Sequence, residues 1–296
     1  MAKVDLHMHS SYSDDGDYSP EELVSLASKA GLKAIAVTDH NSTRGVDEAV
    51  EAGKALGIEV VPAVELDCLF NDLVFHVLGY YIDYKYEKYF QVEKEVLEQN
   101  IAASRRRVEL VNRIGIEVEY EEVLALSKDG AIQGELIAEA VLNKPESREN
   151  PLLRPYLPGG SRSDNPYVNF YWDFCAQGKP AYVHIEYMSL QEAISLIAET
   201  GGIPVLAHPG NSLKGRMELL EDIVNLGIQG IEAYSSYHTP EQNSFFARKA
   251  EEYRLLITGG SDFHGKTKPS VFMGRFGLEG DGMDILKSLK KQKQIG

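Results

Sequence analysis

Cysteine is nearly absent: Cys68 and Cys175 are the whole complement, too few for the disulfide framework of a small secreted domain. Tryptophan occurs once. No apolar run approaches the roughly 18 residues that cross a bilayer, and no Lys/Arg-rich amphipathic stretch marks a membrane surface. Positive charge is also short, with 30 Lys and Arg against 45 Asp and Glu and a net charge of −15. That balance disfavours a broad basic face for duplex nucleic acid and leaves room for a small anionic substrate where local cations reverse the field. No basic-then-apolar leader precedes the first motif, so the expected compartment is the cytoplasm. What remains is ordinary for a globular protein: 296 residues, 43% hydrophobic, with 26 Gly and 12 Pro. Such a chain can bury a sizeable core as one large domain or two smaller ones.

Short apolar runs alternate with amphipathic stretches at both ends of the chain. The pattern predicts strands over Lys3–His9, Lys33–Thr38, Glu59–Leu66 and Val74–Tyr80, with helices near Pro20–Ala30 and Val46–Leu56. Ser19 before Pro20 signals a helix start, and Gly31 and Gly57 sit where helices end. The same grammar returns after Met188, with strands at Ile203–His208, Ile231–Tyr234 and Leu255–Thr258 and helices between and after them. Repeated strand–helix units imply parallel strands covered by helices. A different composition separates the halves: a long charged helical pattern over Tyr84–Ile114, shorter helical stretches, then an irregular segment rich in Pro and Gly. This predicts a mostly helical insertion over 85–178 in a strand–helix domain of 1–84 and 179–296, either a barrel or an open sheet, covering the mouth where its strands end.

The chain has 8 His, and their placement is the strongest signal. His7 and His9 end the first strand, where period-two alternation points both rings to one face. His40 follows the second strand, Glu65 ends the third, His76 lies in the fourth, His208 ends Ile203–His208, and Asp262 and His264 follow Leu255–Thr258. Residues at the C-terminal ends of parallel strands meet at one mouth. Imidazole and carboxylate together suit Mn, Zn or Fe, and so many exceed the needs of one tetrahedral ion, so two or three divalent ions are expected. Taken alone, Asp14 reads equally well as a turn residue, and His184 as a surface histidine.

The elements Asp5-Leu6-His7-Met8-His9-Ser10, Ser13-Asp14-Asp15-Gly16, Thr38-Asp39-His40-Asn41, Pro62-Ala63-Val64-Glu65, His76-Val77-Leu78-Gly79, Ala207-His208-Pro209 and Gly260-Ser261-Asp262-Phe263-His264-Gly265 run in order. With them the sequence resembles the PHP family, named for its polymerase and histidinol phosphatase members. The resemblance implies an α/β fold, a distorted (β/α)7 barrel with a helical insertion, and a trinuclear metal centre. Carried over, its ligands would be His7, His9, Asp14, His40, Glu65, His76, His208, Asp262 and His264.

Gly178-Lys179-Pro180-Ala181-Tyr182-Val183 and the stretch Ile231–Gln242 look most like the branch holding nucleoside 3′,5′-bisphosphate phosphatases and an RNA 5′-end exonuclease. Where that branch usually has Gly-Arg-Pro-His, this chain has Ile132-Gln133-Gly134-Glu135, which weakens a phosphate-facing surface. The implied activity is metal-dependent hydrolysis of a phosphoester in a small phosphorylated metabolite, nucleotide-like and carrying a second anionic group. Amidohydrolase-type C–N hydrolysis and exonucleolytic action on short RNA are the alternatives. His238, two residues before the helix-opening Pro240, is placed to donate to a phosphate or protonate the leaving group. Lys179, Arg162, Lys266 and Lys268 are further candidates to neutralise phosphate.

Overall fold

The computed structural model describes residues 2–295. Eight strands form one sheet: β1 (Val4–Met8), β2 (Ala34–Val37), β3 (Glu59–Phe70), β4 (Leu73–Tyr80), β5 (Met188–Ser189), β6 (Ile203–Leu206), β7 (Gly230–Ser235) and β8 (Leu256–Gly260). Their order is β1-β2-β3-β4-β6-β7-β8, with the two-residue β5 beside β3. Past the strand ends, β8 and β1 come together: the Asp262 N–H donates to the His7 carbonyl at 2.8 Å and the His9 N–H to the Phe263 carbonyl at 2.9 Å. The sheet is therefore a nearly closed barrel. Gly260 sits in this closure, where an added Cβ would lie 2.2 Å from the Cβ of His7, so only glycine lets β8 pass that close.

Helix starts follow the sequence signals. Ser19 accepts from the Glu22 N–H while Glu22 reaches back to the Ser19 N–H, and Ser189 with Glu192 and Thr239 with Gln242 repeat this reciprocal cap. The barrel's central apolar cluster draws Val4 and Leu6, Ala34 and Ala36, Val61 and Ala63, Leu78 and Tyr80, and Ile203 and Val205 from five strands. Leu286 and Leu289 of the last helix, Met283–Ile295, pack against it. Each buried Leu or Ile contributes about 1.5–3 kcal/mol of hydrophobic stabilisation, so this closing helix matters to the whole barrel.

The expectation of all-parallel strands needs correction at β4, which runs antiparallel to both β3 and β6. The reason is a tight turn at Asn71 and Asp72, both with positive φ (51° and 59°), a turn that joins antiparallel neighbours directly. β3 also continues four residues past the expected end at Leu66. This hairpin pairs Asp67 with His76 in register. His76 thus reaches the site by strand pairing, not by ending a strand.

Between β4 and β5 lie helices Glu87–Arg113, Tyr120–Leu124, Gly134–Leu142 and Pro166–Phe170. They hold a second apolar cluster that includes Val108, Val111, Ile116, Ile137, Val141 and Phe170. Arg107 is buried there, donating to the Asn100 side chain at 2.7 Å and the Ile132 carbonyl at 2.9 Å. The contacts that tie this segment to barrel loops include Lys128 to the Gly16 carbonyl (2.9 Å), Gln133 to Asp14 (3.0 Å), Lys266 to Glu139 (2.8 Å) and Arg44 to Glu93 (2.7 Å).

Candidate metal centre

Glu65 is the hub of the barrel mouth. Its Oε2 lies 3.0 Å from His7 Nε2, 3.1 Å from His9 Nε2 and 3.5 Å from His40 Nδ1, and its Oε1 lies 2.9 Å from His76 Nδ1 and 3.1 Å from His208 Nε2. Around it four overlapping groups could each hold an ion: His7-His9-Glu65-Asp262, His9-Asp15-His40-His264, His40-Asp67-His76 and Glu65-His76-His208. In each, one ligand atom per residue lies within 4.8 Å of the others. The groups overlap at Glu65, whose two oxygens could bridge ions in a multinuclear centre, while His9, His40 and His76 would each serve one ion of the two groups they border.

Partners outside the cluster set the ring orientations. His7 Nδ1 is 2.9 Å from Glu232, His9 Nδ1 2.9 Å from the Ser13 hydroxyl, and His264 Nδ1 donates to the Asp262 carbonyl at 2.9 Å. Each arrangement leaves Nε2 turned inward, and such outer partners fix the tautomer that binds metal. Glu232 also accepts the His208 N–H at 2.8 Å, so one buried carboxylate steadies two candidate ligands. Four buried polar atoms of these residues find no hydrogen-bond partner: His9 Nε2 and His264 Nε2, which face the cluster, and His208 Nδ1 and Asp15 Oδ1. Unsatisfied groups of this kind are costly and rare. Nitrogen and oxygen donors left open around shared carboxylates fit divalent metal. Backbone strain agrees, for His208 (φ 25°) and Asp262 (φ 56°) both leave the usual region, at about 1–3 kcal/mol each.

The electrostatics depend on occupancy. Burial opposes a charged imidazole at His7, but Glu232, Glu65 and Asp262 outweigh it and raise the pKa well above the usual histidine value. Burial is likewise outweighed at His40, by Asp67 and Glu65. His9 goes the other way, pushed down to about 4 by burial and by His264 and His40. Raised histidine pKa values stabilise the folded state fully below the unfolded value near 6.5 and lose that contribution as pH rises through the folded values. Metal-free protein should therefore show a falling Tm as pH increases from 6 to 9, and divalent ions, which replace the protons as counter-charge, should remove the slope. Thermal scans of chelated and reloaded protein check this; a flat profile for both would contradict it.

The structure brings together His7, His9, His40, Glu65, His76, His208, Asp262 and His264. Asp14 is the exception among the expected ligands: it is exposed and accepts from Gln133, whereas Asp15 Oδ2 lies 3.0 Å from His264 Nε2. The turn decides between them. Gly16, whose added Cβ would strike the Ser10 carbonyl, anchors the loop, and the residue before it faces the cluster. Asp67 and Glu232, which no sequence motif singles out, also stand at the cluster, against His40 and His7. Period-two spacing from Glu65 along β3 could have found the first, and an acid inside the apolar run of β7 the second.

His238 does not stand free to meet a phosphate. The Gly210 N–H donates to its Nε2 at 2.9 Å, so Nδ1 carries the proton and donates to the Ala233 carbonyl at 3.0 Å. Burial lowers its pKa. A neutral ring with both nitrogens engaged holds the chain after His208 and has no donor left. Arg162 is held by both oxygens of Asp173, Lys266 pairs with Glu139, and Lys179 is exposed with no hydrogen bond or ion pair to the cluster. None of these three turns a free charge toward the cluster.

A cavity of about 280 Å³ adjoins Asp15, between residues 11–17 of the barrel and 126–139 of the insertion. Asp14, Asp17, Asp129, Glu135 and Glu139 line it, against Arg44, Lys128 and Lys266. Arg44 already pairs with Glu93. Burial, reinforced by neighbouring Asp15, raises the Glu135 carboxyl to about 8.

A barrel with overlapping histidine–carboxylate groups at its mouth defines a class, the metal-dependent hydrolases built at strand ends. Residues 5–152 match the PHP domain, and the chain belongs to the PHP family. It is similar to a phosphoribosyl 1,2-cyclic phosphate 1,2-diphosphodiesterase of Eggerthella lenta, with 31% identity over 88% of this chain and 94% of that protein. A 3′,5′-nucleoside bisphosphate phosphatase of Chromobacterium violaceum is 31% identical over 89% of this chain and 88% of its own length. A 5′-3′ exoribonuclease of Haemophilus influenzae is 30% identical over 88% and 90%. Among solved structures, a candidate metal-dependent phosphoesterase from Bifidobacterium adolescentis superposes with TM-score 0.78 and 28% identity, covering 98% of this chain and 96% of that one. The chain is a metal-dependent phosphoesterase. No described helix is long and apolar enough to cross a membrane.

Proposed function

We propose that the chain releases phosphate or an alcohol from a small nucleotide- or sugar-like phosphoester, using two or three ions of Mn, Zn or Fe. The carrying observation is Glu65, with five imidazole nitrogens within 3.5 Å of its two oxygens. Divalent ions bound there would bring the pKa of water toward neutrality, polarise a phosphoryl oxygen and stabilise the leaving alkoxide. The protein's own part is positioning: Glu232, Ser13 and the Asp262 carbonyl aim three rings, and Glu65 spans the groups. His7, His9, Asp15, His40, Glu65, Asp67, His76, His208, Asp262 and His264 are the proposed ligands.

The rest of the substrate would lie in the cavity, where Ser11, Tyr12, Ser127, Gln133 and Tyr167 offer donors and acceptors. Its three cations are engaged by Glu93, the Gly16 carbonyl and Glu139, so the lining suits sugar hydroxyls better than a second phosphate. The insertion thereby sets substrate choice and the barrel sets chemistry. Buried free thiols at Cys68 and Cys175 suit the cytoplasm.

A long nucleic acid needs many backbone contacts, which a net charge of −15 opposes. Phosphate release from a nucleoside 3′,5′-bisphosphate should exceed nucleotide release from a long 5′-phosphorylated RNA by about a hundredfold in kcat/KM at moderate salt, given the steep salt dependence of strand binding. Faster, processive RNA degradation would move the protein to the exonuclease side. Amine release from an amide without phosphate release would establish the C–N alternative instead.

A further inference from the structure

A cation beside the ions would strengthen the hold on a phosphoryl group, and most of the sequence's candidates for that role are engaged elsewhere. Lys268 differs. It is 5% exposed, and its Nζ lies 2.6 Å from Asp262 Oδ2. The other oxygen of the same carboxylate, Oδ1, faces His7 Nε2 at 3.3 Å and His9 Nε2 at 3.1 Å. Asp262 is thus divided, with one oxygen for the cluster and one for the lysine. Lys268 also lies 5.0 Å from the centroid of the Tyr237 ring, and Tyr237 packs edge-on against His208. Its backbone is pinned by the turn Gly265–Thr267, whose Thr267 hydroxyl donates to the Asp15 carbonyl at 2.7 Å. Among the described residues, no other Lys or Arg forms an ion pair with a carboxylate of the cluster.

We propose that Lys268 is a phosphoryl-binding cation of this site, held beside the cluster by Asp262 and Tyr237. The proposal rests on the phosphoester reading above. An ammonium offers three donors, and Asp262 takes one. Burying an ammonium costs several kcal/mol unless it is compensated, and here its one carboxylate is shared with the ligand cluster. Four carboxylates (Asp15, Glu65, Asp67 and Asp262) belong to the candidate groups and buried Glu232 stands against His7, so with three divalent ions bound the positive charge, Lys268 included, exceeds these five negative charges by two. A phosphoryl dianion supplies the missing negative charge, and the lysine's remaining donors supply directed hydrogen bonds to it. A lysine serving only to orient Asp262 would leave phosphate affinity untouched once metal is bound.

The test compares metal-loaded wild type with Lys268→Met and Lys268→Arg. Three readouts are needed: metal content per chain, inhibition by inorganic phosphate, and kcat and KM on a phosphomonoester. The expected result for Lys268→Met is unchanged metal content with KM and the phosphate inhibition constant each raised about ten- to a hundredfold, as for loss of one charge-assisted contact. Lys268→Arg should recover part of the loss. Unchanged KM and phosphate inhibition would overturn the proposal, as would loss of metal in proportion to activity, which would leave Lys268 only the task of orienting Asp262. A readout free of substitution is the Lys268 side-chain nitrogen resonance in zinc-loaded wild type: added phosphate should shift it, and no shift at saturation would overturn the proposal even if both variants fail to fold. Wild type that neither hydrolyses phosphoesters nor binds phosphate would instead defeat the phosphoester reading itself.

Discussion

Replacing His9 by Ala should lower phosphoester hydrolysis by about a thousandfold, the equivalent of roughly 4 kcal/mol of transition-state stabilisation. His9 belongs to two candidate groups at once, with Glu65 and Asp262 on one side and Asp15, His40 and His264 on the other. Its Nε2 faces Glu65 and Asp262 with no hydrogen-bond partner, so truncation removes a ligand, together with the Ser13 hydrogen bond and the stacking on His264. Metal per chain should fall while the circular dichroism spectrum stays native. Asp262→Asn should act in the same direction, because Asp262 Oδ1 lies within 3.3 Å of both His7 and His9. Native metal content and native rate in the His9 variant would show that this ring serves structure alone.

Asp15→Asn and Asp14→Asn should separate sharply. Asp15 is 3.0 Å from His264 Nε2, and its charge is favoured strongly enough by His264 and His40 to hold its pKa far below the usual carboxylate value, despite burial. Removing that charge from the cluster should cost about a hundredfold or more in activity, as loss of a metal-binding carboxylate does when charge stabilisation of several kcal/mol goes with it. Asp14 meets only the Gln133 amide, in an exposed loop. Its Asn variant keeps that geometry and should stay within about threefold of wild type, the range of a weakened exposed hydrogen bond. Phosphate-release assays on the two purified variants decide the matter; comparable losses in both, or a larger loss for Asp14→Asn, would reverse the assignment.

These two neighbours show where the sequence stops being informative. Strand-end histidines are legible because parallel strands converge at one mouth, and His7, His9, His40, His208 and His264 all sit there. Asp14 and Asp15 are adjacent in a turn, where no period applies, and only the close approach of Gly16 to the Ser10 backbone settles which one turns inward. His76 is legible by its motif but its route is not, because the Asn71-Asp72 turn reverses β4 and pairing with β3 delivers the ring. Asp67 was lost for the same reason: ending β3 at Leu66 removed the next same-face position. His238 had the right location and the wrong freedom, since backbone partners on both ring nitrogens are invisible in a linear pattern.

Metal removal and return is the direct test of the central claim that this cluster of histidines and carboxylates is the catalytic centre. Chelated and dialysed protein should be folded and inactive toward a phosphomonoester, and titrating Mn or Zn back should restore phosphate release in step with the binding of two to three ions per chain. Full activity in protein shown by elemental analysis to carry no metal would contradict it.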